Sequence, residues 1–196
     1  MLRRLGLWMG CSKDYETEPF EDGVKIVKAS DSIKNQESIT LPDKIKGKKV
    51  LAIGDNVFWQ AKIEKVILPK PLLEIGKNAF SYNPNLAEIT FNENLKTIGA
   101  SAFENCCSLG TLTFPDSLER IGRSAFYNCI GLDVQFDGRI KSIESYAFTR
   151  CKISYCHLSV EELGDSVFAG SGLRRIHLNT VKKMGDAIFA DCSVLQ

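Results

Sequence analysis

The 196-residue chain has almost no net charge and no long apolar segment. Its 25 lysines and arginines are balanced by 24 aspartates and glutamates, which leaves a formal net charge of +1. A charge this small creates no long-range field that would gather nucleic acid or an anionic membrane surface. No apolar run approaches the ~20 residues that a transmembrane helix requires. We therefore expect neither a nucleic-acid-binding protein nor an integral membrane protein.

Sequence motifs of common active sites are missing as well. The chain has no Gly-rich phosphate loop, no H-E-x-x-H, no G-x-S-x-G and no C-x-x-C. Its two histidines, His157 and His177, occupy positions that we expect on an exposed sheet face. The carboxylates are spread along the chain and suggest no closed pocket that would perturb their pKa values. The sequence predicts no enzyme, no cofactor and no metal site.

What the sequence does contain is an internal repeat. An apolar residue, usually followed by Gly, precedes a Phe by five positions, and this occurs seven times. The successive Phe residues are separated by 22, 23, 23, 22, 20 and 21 positions. Seven matches at a nearly constant period indicate a repeat architecture. The seven residues are Phe58, Phe80, Phe103, Phe126, Phe148, Phe168 and Phe189.

A second pattern, apolar-x-x-apolar-x-apolar, lies between these marks and is typical of a short strand with one buried face. A unit of ~22 residues with one such strand cannot bury its own apolar face, so neighbouring units must stack and share a core. The pattern therefore predicts a solenoid with a parallel sheet of short strands, built from about seven repeats of 20–23 residues. Its clearest copies are Ile63/Val66/Leu68, Leu86/Ile89/Phe91, Leu109/Leu112/Phe114 and Leu173/Ile176/Leu178.

The combined motif resembles the BspA-like, or treponemal-type, leucine-rich repeats of bacterial surface proteins. It is most complete in Leu109–Phe114, Pro115, Leu118, Ile121-Gly122, Ala125-Phe126 and Cys129, and the resemblance covers roughly residues 39–196. One departure is Glu144, which replaces the Gly and predicts a local irregularity. The resemblance implies a leucine-rich-repeat solenoid, either α/β or a mainly-β right-handed superhelix. It further implies adhesion to host extracellular-matrix or cell-surface proteins and contacts between bacteria.

Both ends of the chain lead to further expectations. Residues 1–20 are interpreted as the remnant of a lipoprotein signal with a tail, residues 21–48 as an N-terminal cap, and residues 49–196 as the repeats. Cys11 follows a basic start and a short apolar stretch, so it is the expected lipidation site. We thus expect a lipid-anchored protein of the bacterial surface or outer membrane, in contact with the membrane only through that anchor. If this segment is not a signal, a cytoplasmic protein is expected.

Four of the seven cysteines share one position, three residues beyond a repeat Phe. A small residue at a fixed inward position suits a stacked core column of reduced thiols. A zinc site is disfavoured because Cys156 takes an inward apolar position, which turns the neighbouring His157 to the opposite face. The four cysteines are Cys106, Cys129, Cys151 and Cys192.

The predicted ligand-binding residues lie on the outward, concave face of the strands, near the C-terminal end. Tyrosine and arginine are enriched at binding hot spots, and arginine presents a planar fork to carboxylates or sulfates. An anionic or polar protein segment, or an acidic glycan, would complement such a surface. The alternatives are a glycan-binding accessory lipoprotein, a structural spacer of a longer protein, and an ordinary solvated face. The predicted residues are Tyr155, His157, Arg174, Arg175 and His177.

Overall fold

The structure is a computed structural model that describes residues 13–136, 138–193 and 195. Within these ranges the chain forms sixteen strands and one four-residue helix, α1 (Asp31–Lys34). The strands are β1 (Tyr15–Phe20), β2 (Gly23–Ala29), β3 (Ser38–Thr40), β4 (Lys44–Ile45), β5 (Lys48–Ile53), β6 (Lys65–Ile67), β7 (Glu74–Ile75), β8 (Glu88–Thr90), β9 (Thr97–Ile98), β10 (Thr111–Phe114), β11 (Arg120–Ile121), β12 (Asp133–Phe136), β13 (Arg139–Ile143), β14 (Tyr155–Leu163), β15 (Arg175–Asn179) and β16 (Lys183–Met184).

The strands form two parallel ladders that run along the molecule. The front ladder consists of three hydrogen-bonded pieces that follow one another: β3, β6 and β8, then β10 and β12, then the first half of β14 and β15. The side ladder consists of β2, β5, β7, β9, β11, β13, the second half of β14 and β16. In the side ladder the apolar residue of each repeat pairs with its equivalent in the next, so that Ile53, Ile75 and Ile98 lie in register. One turn of the chain therefore contributes one strand to each ladder.

Strand β14 belongs to both ladders. Its first residues pair with β15, and its last residues pair with β13 and β16. In the earlier repeats a corner separates the two ladders, and β10 for example ends at Phe114 because Pro115 cannot continue the hydrogen-bonding pattern. The repeat between Phe148 and Phe168 has only 20 residues, and its missing corner explains why one strand continues straight through.

A third wall, the turn wall, is formed by the segments around the repeat Phe residues. The amides of the first six repeat Phe residues each donate a hydrogen bond to a carbonyl of the next repeat, at 2.8 Å from Phe58 to Ala79 and 2.7 Å from Phe103 to Ala125. The residues two positions before and after each Phe have left-handed φ angles, as in Asn56 (58°) and Gln60 (53°). These left-handed residues are often Asn, Ser or Gly, and Asn and Gly adopt this conformation most readily.

The core contains a continuous column of stacked phenylalanine rings. Ring centroids of successive repeat Phe residues lie 5.1–6.2 Å apart, and their planes differ by only 3–10°. A shorter column of Phe91, Phe114 and Phe136 stacks beside it at 5.5 and 5.0 Å. The first six repeat Phe side chains are fully buried, which fits the interior role that the period predicts.

The chain is thus a parallel-sheet solenoid of about seven turns with almost no helix, as the sequence predicts, and the mainly-β alternative is correct. At its start, β1 and β2 form an antiparallel hairpin. This hairpin begins at Tyr15, inside the range 1–20 that sequence analysis assigns to a signal and tail. Tyr15 is 5% exposed, and burial raises the pKa of its hydroxyl to about 12.

The glycine that follows the side-ladder apolar residue is required by close stacking. A Cβ added at Gly122 would lie 2.6 Å from the Ala100 amide nitrogen, closer than real contacts allow. Glu144 occupies this position in the fifth repeat. Its carboxylate reaches back to pair with Arg120 and to accept a hydrogen bond from the Arg123 amide at 2.9 Å. Glu144 keeps the usual backbone hydrogen bond, 2.9 Å from its amide to the Ile121 carbonyl, and adds these side-chain contacts.

Candidate functional site

The outward side chains of the front ladder form one continuous surface, here called the front face. Alternation along each strand sends every second side chain outward. The structure confirms this pattern in β10, where Thr111 and Thr113 are exposed while Leu112 and Phe114 are buried. The outward residues are Ser38, Thr40, Lys65, Ile67, Glu88, Thr90, Thr111, Thr113, Asp133, Gln135, Tyr155, His157, Arg175 and His177.

Four of the five predicted site residues come together on the last two rungs of the front face. Tyr155 is in register with Arg175, and His157 is in register with His177. The two imidazole rings have centroids 5.0 Å apart and meet edge to face at 82°. Tyr155 is 57% exposed, so its ring is available to a ligand.

Arg174, the fifth predicted residue, lies just outside strand β15. Its amide donates a 2.8 Å hydrogen bond to the Ser154 carbonyl, and its side chain is exposed. It therefore borders the same two rungs from the loop that precedes the strand. Together the five residues are called the C-terminal patch: Tyr155, His157, Arg174, Arg175 and His177.

Asn179 is a member of this surface that sequence reasoning missed. Its side-chain amide nitrogen lies 2.9 Å from Nε2 of His157, a contact that orients the ring. The residue follows His177 by two positions on β15, so strand alternation would have placed it on the same face. It was overlooked because the pattern of apolar residues ends at Leu178.

The rest of the front face carries one ion pair and one further carboxylate, that of Asp133. Lys65 and Glu88, which are in register on β6 and β8, form an ion pair with each other. The middle of the face carries the hydroxyls of Thr90, Thr111 and Thr113. A shallow groove of about 300 Å³ follows β6 and β8 beside Ile67, which is 49% exposed.

The cysteines that lie three residues beyond a repeat Phe form hydrogen bonds with backbone carbonyls. The thiol three residues beyond a repeat Phe donates to the carbonyl of the preceding Phe, from Cys106 to Phe80 at 3.1 Å and from Cys129 to Phe103 at 3.0 Å. Burial raises the pKa of Cys106 to about 12 and that of Cys129 well above its ordinary value. All cysteines from Cys106 onward are unpaired. Cys11, the predicted lipidation site, lies outside the described residues.

The side ladder carries ion pairs between rungs. Glu119 pairs with Lys141, and Glu161 lies 2.8 Å from Lys182 and 3.1 Å from Arg139. The paired lysine is the main reason that the pKa values of Glu119 and Glu161 are lowered. A groove of about 420 Å³ lies beside these pairs, next to Glu144. Its charged lining has both signs, so it favours no single class of ligand.

Two kinds of feature, a cluster of metal ligands and a membrane-spanning helix, are absent from the described residues. Over residues 13–136, 138–193 and 195, no three His, Cys, Asp or Glu side chains converge as metal ligands would. In the same ranges, no helix has the length and hydropathy needed to pass through a lipid bilayer.

The sequence matches one family of repeat proteins. The profile of the "BspA type Leucine rich repeat region" matches in six copies, over residues 28–133 and 107–196. No curated protein shows a significant match to the chain.

Several solved bacterial structures have the same fold. A leucine-rich repeat protein of T. pallidum is 25% identical, with a TM-score of 0.65 over 82% of this chain and 88% of that one. A leucine-rich cell surface protein of Faecalibacterium prausnitzii is 23% identical, with a TM-score of 0.64 over 93% of this chain and 52% of that one. The pneumococcal vaccine antigen PcpA is 18% identical, with a TM-score of 0.66 over 86% and 48%.

Proposed function

The chain belongs to the BspA-type leucine-rich repeat family, and from this premise we propose that it is a non-catalytic binding module that holds a protein ligand on its front face. Stacked repeats create extended surfaces, and a large ligand can contact many rungs at once. Leucine-rich-repeat solenoids are typically not enzymes. Fold alone does not define a ligand, so the proposal depends on particular side chains.

The observation that carries the proposal is the C-terminal patch. An aromatic ring, two guanidinium groups and two imidazoles are exposed within two neighbouring rungs. Tyr155 would supply apolar contact area, Arg174 and Arg175 would bind carboxylates, and the histidines would donate or accept hydrogen bonds. Such a cluster has the composition of an interface hot spot.

We further propose that the ligand is a host extracellular-matrix or cell-surface protein, which would make this chain an adhesin of a bacterial surface. The cell-surface description of the F. prausnitzii neighbour is consistent with that location. Lipidation of Cys11 would anchor the protein, residues 21–48 would cap the array, and residues 49–196 would carry the ligand. The lipid anchor is tested separately by measuring whether a labelled fatty acid is incorporated into the wild-type protein and not into a Cys11→Ala variant.

Binding to immobilised matrix proteins and acidic glycans tests the proposal. The variant combines Tyr155→Ala, Arg175→Glu and His177→Ala, and its control combines Thr90→Ala and Thr113→Ala on the middle of the same face. We expect the wild type and the control to bind a matrix protein and the patch variant to lose binding while retaining its melting temperature. Failure of the wild type on the whole panel would contradict adhesion and favour a spacer. Binding of glycans alone would favour the accessory-lipoprotein alternative.

A further inference from the structure

We infer that the ligand presents an acidic, extended peptide segment to the C-terminal patch, an inference that rests on the function proposed above. It specifies the chemistry of the partner rather than its identity.

Charge on the front face is compensated at one end and uncompensated at the other. Lys65 is neutralised by Glu88 across β6 and β8. In the described part of the chain, no carboxylate oxygen lies within 4.0 Å of the guanidinium of Arg174 or Arg175. The two arginines therefore form an adjacent pair of exposed cations that an external anion can bind without displacing an internal partner.

Two carboxylates on the strands of and beside the patch accept hydrogen bonds from other residues. Asp133 is the next outward residue in the column of Tyr155 and Arg175, and its Oδ1 accepts a 2.9 Å hydrogen bond from the Val134 amide. Glu161, on the second half of β14, is held by Lys182 and Arg139. Asp133 would repel a carboxylate placed on its own rung, so the acidic segment should lie on β14 and β15 and not extend toward β12.

Outward side chains on one strand of the patch are spaced like alternate side chains of an extended peptide. Outward side chains on one strand recur every ~6.6 Å, which is also the distance between alternate side chains of a bound extended chain. Carboxylates at alternate ligand positions would thus meet Arg175 and His177 on β15. Tyr155 and His157 form a second line, one rung away, with a ring separation of 5.0 Å between the histidines. Arg174 is exposed in the loop immediately before β15.

A peptide fits this surface better than a glycan. Sugar rings generally require aromatic platforms, and Tyr155 is the only Phe, Tyr or Trp side chain among the outward residues of the described front ladder. Guanidinium groups do bind sulfates as well as carboxylates. A sulfated glycan is therefore the competing ligand in the experiment below.

The test is fluorescence anisotropy with a labelled peptide of four Glu-Ser units, with a peptide of four Gln-Ser units as the uncharged control. The variant Arg174→Glu/Arg175→Glu removes the cations of the patch. The matched control, Lys152→Glu/Lys183→Glu, makes the same change in net charge at two exposed lysines that have no ion-pair partner among the described residues and lie outside the front-face strands near the same end of the solenoid. We expect the Glu peptide to bind the wild type and to bind the arginine variant about tenfold more weakly, a change of about 1.4 kcal/mol, because two solvent-exposed ion pairs are lost and the new carboxylates repel the peptide. The lysine control should stay within about twofold, and added salt should weaken binding.

Four outcomes would overturn the inference. Equal losses in the arginine and lysine variants would mean that overall charge controls binding. Heparin that binds the patch while the Glu peptide does not would identify a glycan ligand. If the Glu peptide fails but a matrix protein still binds through the patch in the panel above, the partner is not acidic there and the proposed function stands. If both fail, the proposed function fails with it.

Discussion

The thiol of Cys129 donates a 3.0 Å hydrogen bond to the carbonyl oxygen of Phe103, one repeat earlier along the solenoid. That carbonyl also accepts from the Cys106 amide at 3.1 Å. The same arrangement recurs at the other cysteines of this position, and Asn83 replaces the thiol with its amide. Cysteine or asparagine at this position therefore supplies a small donor to the carbonyl of the preceding repeat Phe, whereas the Ser171 hydroxyl lies 3.4 Å from the Cys192 sulfur instead.

Replacing Cys129 with alanine should destabilise the protein by about 1–2 kcal/mol, since a buried carbonyl loses a donor and a small void remains. Cys129→Ser keeps a donor and should lose less. The measurement is urea-induced unfolding followed by circular dichroism. Cys107→Ala is the control, because its half-buried thiol makes only long contacts of 3.6 and 3.7 Å, and it should change stability by less than about 0.5 kcal/mol. Equal effects of Cys129→Ala and Cys129→Ser would contradict the hydrogen-bonding role.

Asn83→Cys should stabilise the protein by about 1 kcal/mol. The amide nitrogen of Asn83 donates to the carbonyls of Phe58 and Phe80, but its Oδ1 is buried without a partner among the described residues. A thiol would keep a donor and remove this unpaired oxygen. Asn83→Asp is the opposing change, because it places a carboxylate against two carbonyls, and we expect a loss above about 3 kcal/mol at pH 7. A higher melting temperature for the Asp variant than for the Cys variant would contradict this explanation.

Two glycines with opposite surroundings test the close stacking of the side ladder. Gly122→Ala should destabilise by roughly 1–3 kcal/mol or more, because the new Cβ would meet backbone atoms of the preceding repeat at 2.6 and 2.8 Å. Gly110→Ala is the matched control, with no atom within 4 Å of its added Cβ and a φ outside the left-handed region. It should be neutral or stabilise by about 0.4–1 kcal/mol through the unfolded state. The melting temperatures of both variants are measured by calorimetry. A loss in Gly122→Ala alone would indicate close stacking, and equal losses in both would indicate a general preference for glycine.

The buried thiols should make the protein less stable in alkali. Burial raises the pKa of Cys106 and Cys156 to about 12 and that of Cys151 well above its ordinary value near 9. Above pH 9 the unfolded chain loses these protons while the folded protein retains them, so the free energy of unfolding falls as pH rises toward 12. Each such thiol contributes up to about 1.4 kcal/mol per pH unit. The free energy of unfolding, measured with urea between pH 8 and 11, should decline less steeply for Cys106→Ser than for the wild type. If the two proteins lose stability in parallel, the Cys106 thiol is not a cause of the decline.

The period of the sequence was sufficient to predict the solenoid, its parallel strands and the buried repeat Phe residues, because every repeat has the same apolar pattern. The donor role of Cys129 was not predictable from that pattern, since a thiol in a core column also reads as a small apolar residue. The continuous strand β14 was missed because a short repeat can lose residues at any corner. For the candidate site, alternation placed Tyr155, His157, Arg175 and His177 on one face, but Asn179 required the observed contact with His157.

The stack of phenylalanine rings has an evolutionary consequence. Because each ring meets its neighbours at nearly the same distance and angle, the junction between any two interior repeats is interchangeable with the next. Duplication or deletion of one whole unit by unequal recombination would leave every remaining junction intact. Outward residues of the front face can then be copied, spaced apart or discarded one rung at a time, while the fold that presents them is inherited unchanged.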